Sequence, residues 1–108
     1  ERNEDIEYAL TLAQKAIELS PKTSSYLDTI GWIYFKMNEF EKAKEYIGEA
    51  IVYDEGSSVV LEHYGDVLIK LNELDEALIF YKKALELDLE NELLKEKISN
   101  QTLKTLSE

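Results

Sequence analysis

The stretch LDTIGWIY at residues 27–34 decides how this chain folds, because a related stretch, LEHYGDVL, returns at residues 61–68. We call the step from Leu27 to Leu61 the repeat offset, and other identities share it. They are Lys36/Lys70, Asn38/Asn72, Glu39/Glu73, Ala43/Ala77, Ala50/Ala84 and Asp54/Asp88. A fixed period of this size is the signature of stacked supersecondary units, none of which buries its apolar face alone. The sequence therefore predicts an array of repeated units.

Each unit is predicted to be a pair of helices joined by a tight turn. Apolar side chains recur with a 3.6-residue period over residues 24–37 and again over residues 40–53, which is typical of amphipathic helices. The same pattern predicts helices over residues 58–71 and 74–87. The whole chain has only four glycines and one proline, which argues against a disordered linker or a β-rich fold with many turns.

Polar residues at the ends of these helices predict how each helix starts and stops. Asn38 and Asn72 suit the left-handed backbone conformation that ends a helix, since asparagine accepts a positive φ better than most residues. Ser24 and Ser58 stand at the first position of the first helix in each unit. A serine hydroxyl there commonly accepts from a free backbone amide, so both are predicted to be N-caps.

Small residues predict close packing between the two helices of a pair. Gly31 and Gly65 lie in mid-helix, where glycine costs about 1 kcal/mol relative to alanine. Close approach of the partner helix would offset that cost. The matching flat surface is predicted at Ala43, Ala50, Ala77 and Ala84, with Tyr34, Tyr46, Tyr64, Phe80 and Tyr81 filling the remaining space.

The order and spacing of these residues resemble the tetratricopeptide repeat family. The matching residues are Leu27, Ile30, Gly31, Tyr34, Ala43, Ile47 and Ala50, and in the second full unit Leu61, Tyr64, Gly65, Leu68, Ala77, Tyr81 and Ala84. Leucine replaces the usual tryptophan, and Glu55 and Leu89 stand in place of the closing proline. The resemblance implies an all-α fold, a right-handed superhelical stack of antiparallel helix hairpins.

The predicted domain covers residues 1–108 in four segments. Residues 1–22 are interpreted as the second helix of a truncated repeat, with Pro21 at the place of the closing proline. Residues 24–57 and 58–91 are two full repeats, and residues 92–108 are a C-terminal capping helix with a polar outer side. The chain begins without methionine, so we expect a piece cut from a longer array.

Composition limits the partners that the chain can bind. Twelve basic residues against 23 acidic ones give a formal net charge of −11, which disfavours nucleic acid and membrane surfaces. A basic or amphipathic protein or peptide suits this charge, which also keeps the protein soluble. There is no cysteine, and the apolar runs are far too short to insert into a membrane.

The resemblance implies that the first helix of each unit lines a concave groove. Asp28, Trp32 and Phe35 follow an i, i+4, i+7 step, which predicts one stripe on one helix. The full predicted peptide-binding groove is Asp28, Trp32, Phe35, Lys36, Glu62, Asp66, Ile69 and Lys70, flanked by Ser25 and Val59. Such a groove would be acidic with an aromatic patch, and would suit a peptide that carries lysine or arginine beside an apolar anchor. In the alternative, Trp32 packs against a neighbouring helix and the acids are only solvated.

Two subtypes of the family bear on partner and location. Some members grip the terminal carboxylate of chaperone tails with lysine, arginine and asparagine, but the corresponding places here hold Asp28, Trp32, Val59 and His63. We therefore do not expect that activity. The amino-acid sequences of the two full units resemble those of bacterial tetratricopeptide proteins, many of which are exported to the periplasm or held at the outer membrane. The compartment of this protein stays open.

Candidate catalytic and metal residues are few. His63 beside Glu62 and Asp66 could be drawn as a metal or acid–base site, but no second histidine or cysteine is present, and pairing with Asp66 is the simpler account. Glu62 and Asp66 also resemble a glycosidase pair, yet helices rich in glutamate produce such pairs often. No glycine-rich phosphate loop, nucleophile elbow or calcium-loop spacing occurs. We expect no enzyme activity, cofactor or metal.

Two functions remain in order of preference. The first is a scaffold that binds another protein in the acidic, partly aromatic groove. The alternative is a structural or self-association module that forms a homo-oligomer. An array without its first helix is expected to expose the apolar region Ile6, Leu10, Ala13 and Ile17 for that purpose.

Overall fold

The computed structural model describes residues 2–107, which form six helices and no strand. Glu1 and Glu108, the ends of the predicted domain, lie outside the described residues. The helices are α1 (Arg2–Leu19), α2 (Ser24–Lys36), α3 (Phe40–Tyr53), α4 (Ser58–Lys70), α5 (Leu74–Leu87) and α6 (Glu92–Ser107). The predicted all-α class is confirmed, and the four helices of the two full repeats end within one residue of their expected bounds. Among residues 2–107, none of the helices combines the length and the apolar character that a membrane span requires.

The helices form two compact units, which divide between Glu55 and Gly56. In the first unit α2 and α3 form a hairpin, and α1 packs on α2. In the second unit α4 and α5 form a hairpin, and α6 packs on α5. Each core is built from the apolar faces that the 3.6-residue period predicts, and Leu27, Ile47, Leu68 and Leu94 are almost completely buried.

The two mid-helix glycines lie where the helices of each hairpin approach each other closely. A Cβ atom added to Gly31 would lie 3.2 Å from the backbone nitrogen of Ile47 and closer still to its side chain. A Cβ atom at Gly65 would strike the ring of Tyr81. The predicted close approach is therefore confirmed in both hairpins, and it explains why glycine replaces a better helix former.

Asparagine ends the first helix of each hairpin as predicted. The φ angles of Asn38 and Asn72 are 62° and 63°, in the left-handed region. This conformation turns the following amide back, so that Glu39 N donates to the Tyr34 carbonyl at 2.9 Å. Glu73 N donates to the Leu68 carbonyl at the same distance. These bonds give partners to carbonyls in the last helical turn, and the Tyr34 carbonyl also accepts from Met37 N at 3.0 Å.

The predicted N-cap role of Ser24 and Ser58 is wrong. The caps are the preceding residues, Thr23 and Ser57, and of these two Ser57 uses its side chain, which accepts from Val60 N at 3.2 Å. The two serines instead reach across the hairpin: Ser24 Oγ donates to the Ala50 carbonyl at 3.0 Å, and Ser58 Oγ donates to the Ala84 carbonyl at 3.1 Å. Both acceptors lie in the last turn of the second helix, and the Ala50 carbonyl also accepts from Asp54 N at 3.0 Å.

The outer helices differ from expectation in their exposed faces. In α1 the region expected to be open is covered: Ala13 is buried, and Ile6, Leu10 and Ile17 are half-buried. The exposed apolar stripe of α1 is instead Tyr8, Leu12 and Leu19. In α6 the outer side is not uniformly polar, because it exposes Leu93, Leu103 and Leu106.

Candidate partner-binding surface

The first unit carries a cluster of aromatic rings at the end of α2 and the start of α3. The rings of Trp32 and Phe35 stack with centroids 4.4 Å apart and planes 8° apart. Phe40 meets Phe35 edge-on with centroids 5.4 Å apart. All three side chains are half-buried, so part of each ring stays open to solvent. We call Trp32, Phe35 and Phe40 the aromatic cluster.

Two charged residues of α2 flank the aromatic cluster. Asp28 lies one helical turn before Trp32 and is half-buried. Lys36 is exposed, and its ammonium lies 5.8 Å from the centre of the Trp32 ring, within cation–π range. The i, i+4, i+7 spacing thus gathers Asp28, Trp32 and Phe35 on one side of α2, with Lys36 beside them.

The second unit carries a compact charged group. Glu62 and Asp66 stand one turn apart on α4, and both contact Lys97 of α6. Lys97 Nζ lies 2.6 Å from Glu62 Oε2, 3.0 Å from Asp66 Oδ1 and 3.2 Å from Asp66 Oδ2. From α5, the Tyr81 hydroxyl donates to Asp66 Oδ1 at 2.6 Å. We call Glu62, Asp66, Tyr81 and Lys97 the charged cluster.

Burial and the neighbouring charges set the protonation of this cluster. Burial raises the pKa of Tyr81, and the hydrogen bond to Asp66 and the charges of Asp66 and Glu62 raise it further. Burial lowers the pKa of Lys97, but its hydrogen bonds to Glu62 and Asp66 and their charges outweigh burial, so the net pKa is raised. At neutral pH, Lys97 therefore stays protonated and Tyr81 keeps its hydroxyl proton.

A cavity of about 160 Å³ adjoins the charged cluster in the second unit. Its lining is Ile69, Tyr81, Lys97, Asn100, Gln101 and Lys104. Gln101 is only 5% exposed, and its side-chain nitrogen has no hydrogen-bond partner within residues 2–107. A buried amide nitrogen without an acceptor is unfavourable in a helix interface.

The predicted groove residues fall into two groups, one in each unit. Trp32, Phe35 and Lys36 come together with Asp28 in the first unit, as just described. In the second, Glu62 and Asp66 come together, Ile69 is half-buried at the cavity, and Lys70 is exposed at the end of α4. No group of three or more histidine, cysteine or acidic side chains in the described part of the chain could hold a metal ion.

Sequence reasoning misses the contribution of α6 and of Tyr81. The repeat pattern predicts only that Tyr81 fills space in the hairpin, although its hydroxyl also binds Asp66. Lys97 stands at the repeat offset from His63, inside the predicted capping helix. That offset places Lys97 on a first-helix pattern, but it is the packing of α6 that brings its ammonium to the two carboxylates of α4.

The chain matches a known family over most of its length. A model of the family described as anaphase-promoting complex, cyclosome, subunit 3, which is of the tetratricopeptide type, matches residues 2–84. The chain belongs to this tetratricopeptide family. The resemblance found in the sequence is thereby confirmed. Folds of this type are protein–protein interaction modules, generally without enzymatic activity of their own.

Solved tetratricopeptide structures share the fold of the chain. The first tetratricopeptide domain of Spaghetti (RPAP3), bound to the HSP90 peptide SRMEEVD, matches with a TM-score of 0.90 at 18% identity, over 99% of this chain and 86% of that one. The first such domain of human RPAP3 matches with a TM-score of 0.90 at 18% identity, over 98% and 84%. The protein TTC0263 of Thermus thermophilus matches with a TM-score of 0.81 at 23% identity, over 91% and 50%. Identities this low establish the fold alone.

One curated protein also resembles part of the chain. The BBSome complex member BBS4 of Bos taurus is 34% identical over 50 residues, which make up 46% of this chain and 10% of that protein. The chain thus spans about a tenth of that relative's length. Matches in a bacterium, in human and in cattle show that the fold is widespread, so the resemblance to bacterial members stays a prediction.

Proposed function

We propose that this tetratricopeptide domain holds a segment of another protein against its first helices, with the aromatic cluster as the apolar anchor. The observation that carries the proposal is the stacked, partly open pair Trp32 and Phe35. The partner is a basic or amphipathic peptide, and one of its positive side chains binds near Glu62 and Asp66.

The aromatic cluster has the properties of an interface anchor. Stacking on Phe35 holds the Trp32 ring in one orientation, so little conformational entropy is lost when a partner packs on it. Tryptophan and tyrosine are enriched among the few interface residues that carry most of the binding energy. A half-buried ring also needs less rearrangement than a fully exposed one to form a contact free of water.

Charge supports a basic partner. The net charge of −11 attracts cations at long range and speeds their association. Within the charged cluster two carboxylates face one ammonium, which leaves the cluster one net negative charge, and Ile69 lines the adjoining cavity together with Lys97 and Lys104. A basic side chain next to an apolar one would satisfy both.

Binding without catalysis, metal or cofactor is part of the proposal. The perturbed groups of the second unit, Tyr81 and Lys97, are engaged with Glu62 and Asp66, which accounts for their shifted pKa values without a reaction. The HSP90 peptide bound by Spaghetti ends in carboxylates, whereas the places that would grip such a tail here hold Asp28, Trp32, Val59 and His63. We therefore expect no binding of SRMEEVD.

The test is a calorimetric titration with three probes. The first is a short synthetic peptide that carries two leucines and two arginines, the second replaces those arginines with glutamates, and the third is SRMEEVD. Trp32→Ala should weaken binding of the arginine peptide at least about tenfold. The matched control, Tyr53→Ala, removes an aromatic residue on α3 that is 42% exposed and should leave binding within about twofold.

The probes separate the parts of the proposal. Equal binding by the native protein and the Trp32→Ala variant would overturn the anchor. Equal binding of the arginine and glutamate peptides would overturn the basic partner while leaving the anchor in place. Tight binding of SRMEEVD would show that a carboxylate site exists and that our exclusion is wrong.

Self-association is the second candidate, and the open stripe of α1 favours it. Tyr8, Leu12 and Leu19 are 67%, 51% and 86% exposed and lie on one side of the helix. We propose that, if the domain self-associates, it does so through this stripe. Sedimentation velocity should then show a mass that rises with concentration, and Leu12→Glu should abolish the rise; a constant monomer mass excludes this candidate.

A further inference from the structure

We infer that Lys97 is a built-in competitor for the partner's basic side chain, so that binding at Glu62 and Asp66 displaces Lys97 and loosens α6. This inference rests on the proposed function, because it concerns how that site is occupied. It makes an arginine the preferred side chain of the partner at this place.

The geometry shows that Lys97 already occupies the site. Its ammonium contacts three carboxylate oxygens within 3.2 Å, and an ammonium has three protons to donate. Lys97 also lies 5.8 Å from the centre of the Tyr81 ring, and Tyr81 occupies Asp66 Oδ1 with its own proton. A second cation at the same oxygens would stand against the Lys97 ammonium, and repulsion between the two positive charges favours release of Lys97.

Apart from Lys97, α6 makes little contact with α4, because it packs mainly on α5, and this makes displacement of Lys97 from α4 feasible. Leu94 and Gln101 are the buried residues of α6, whereas α4 buries five residues. Gln101 stands at the repeat offset from the buried Val67 and so puts an amide where the repeat has an apolar side chain. Its nitrogen, without an acceptor in residues 2–107, opposes docking of α6, while Leu93 and Leu103 contribute little because they remain largely exposed. The ion pairs of Lys97 are therefore a principal attachment of α6 to α4.

Competition also sets the chemistry of the partner. A lysine that replaces Lys97 exchanges one ammonium for another and gains little, while the detached α6 loses contacts. An arginine makes two parallel hydrogen bonds to one carboxylate and keeps further donors for the second, so it gains more than it displaces. If binding of the arginine shifts α6 towards the detached state by a certain factor, then by reciprocity detachment of α6 strengthens binding of the arginine by the same factor.

The test compares two lysine variants in the same helix. Lys97→Met removes the competitor, and Lys95→Met is the matched control because Lys95 pairs with the exposed Glu92 on its own helix. The arginine peptide should bind Lys97→Met about tenfold more tightly than the native protein, and Lys95→Met within about twofold of it. Adding Asp66→Asn to Lys97→Met should cancel the gain.

A second measurement uses the native protein and does not depend on how well a variant folds. Hydrogen exchange of the α6 amides should accelerate when the native protein is saturated with the arginine peptide. A peptide with lysines in place of the two arginines should accelerate this exchange less. If α6 exchange is unchanged or slowed at saturation, or if Lys97→Met binds no more tightly than Lys95→Met, Lys97 is a structural ion pair and the inference is wrong.

These outcomes are distinct from failure of the proposed function. The role of the anchor is tested by comparing peptide binding by Trp32→Ala with peptide binding by Tyr53→Ala. Neither substitution alters a residue of the charged cluster. A native protein that binds no arginine peptide, beside a Lys97→Met variant that does, would support the competition directly. Absence of binding in both would overturn it.

Discussion

Gly31 shows how a single missing side chain allows one hairpin to close. An alanine there would gain about 1 kcal/mol of helix propensity, but its Cβ would press on the side chain and backbone of Ile47. Overpacking of this kind commonly costs about 1–3 kcal/mol. We expect Gly31→Ala to lower the free energy of unfolding by about 1–2 kcal/mol in urea titrations.

The control for this substitution lies in α6. Ser99 stands at the repeat offset from Gly65, at the same place in the repeat pattern, but is exposed. Ser99→Ala should leave the free energy of unfolding within about 0.5 kcal/mol of native, since surface substitutions away from special features usually do. A Gly31→Ala protein that is more stable than native would mean that α3 moves away without cost.

Tyr81 couples stability to alkaline pH. Its pKa is raised in the folded state, chiefly by burial, while an unfolded tyrosine has a pKa of about 10. Above that pH the unfolded chain releases a proton that the folded protein keeps, so the free energy of unfolding falls as pH rises. Tyr81→Phe should therefore show a shallower decline between about pH 9 and pH 10.5 than the native protein.

The measurement is urea unfolding at several alkaline pH values, with Tyr53→Phe as control because its hydroxyl is on an exposed residue. An equally steep decline in Tyr81→Phe would show that Tyr81 does not keep its proton in the folded state. Below about pH 9, Tyr81→Phe should lower the free energy of unfolding by about 1–2 kcal/mol, because Asp66 loses a 2.6 Å hydrogen bond.

At the scale of the element, the serine hydroxyls tie the start of one helix to the end of its partner. Ser58 Oγ donates to the Ala84 carbonyl in a partly buried place. Ser58→Ala leaves that carbonyl without this donor and should lower the free energy of unfolding by about 0.5–1.5 kcal/mol. Thr29→Ala is the control, because its hydroxyl bonds to Ser25 within the same exposed helix surface and its loss should be close to neutral. Equal effects of the two substitutions would contradict a specific tie across the hairpin.

Helices and turns follow from the sequence because their causes are local. The apolar period and Asn38 and Asn72 predict the hairpins to within one residue, since they depend on backbone conformations and on which side of a helix is apolar. The prediction that Ser24 is an N-cap is wrong because its hydroxyl takes part in a contact between helices, which is not local. A hydroxyl at a helix start has a local acceptor role by default, and only the fold brings the Ala50 carbonyl within its reach.

At the scale of the molecule, sequence predicts the family and one half of the candidate surface better than the other. Trp32 and Phe35 can be grouped because both belong to α2 and lie one turn apart. Lys97 cannot be grouped with Asp66, since they are far apart in the chain and their contact depends on how α6 packs. That contact turns an apparently open acid pair into one that already holds a cation.

Net charge also acts on the whole fold. Repulsion among the charges of a chain with a formal net charge of −11 opposes the compact state. Raising the ionic strength from about 0.01 M to 0.15 M shortens the screening length from about 30 Å to 8 Å, which weakens that repulsion. We expect the midpoint of thermal unfolding to rise over this range, although salt also weakens exposed pairs such as Lys95 with Glu92.

A variant with fewer negative charges decides whether repulsion is the cause. Glu55→Lys with Glu86→Lys reverses two exposed acids and changes the formal net charge from −11 to −7, two units for each reversal. If repulsion dominates, this variant should melt at a higher temperature than the native protein in low salt and respond less to added salt. Should the native protein instead lose stability as salt rises, local attractions such as those of Lys97 outweigh the overall repulsion. Docking of α6 would then be the salt-sensitive step, and its amide exchange should accelerate with salt before the hairpins are affected.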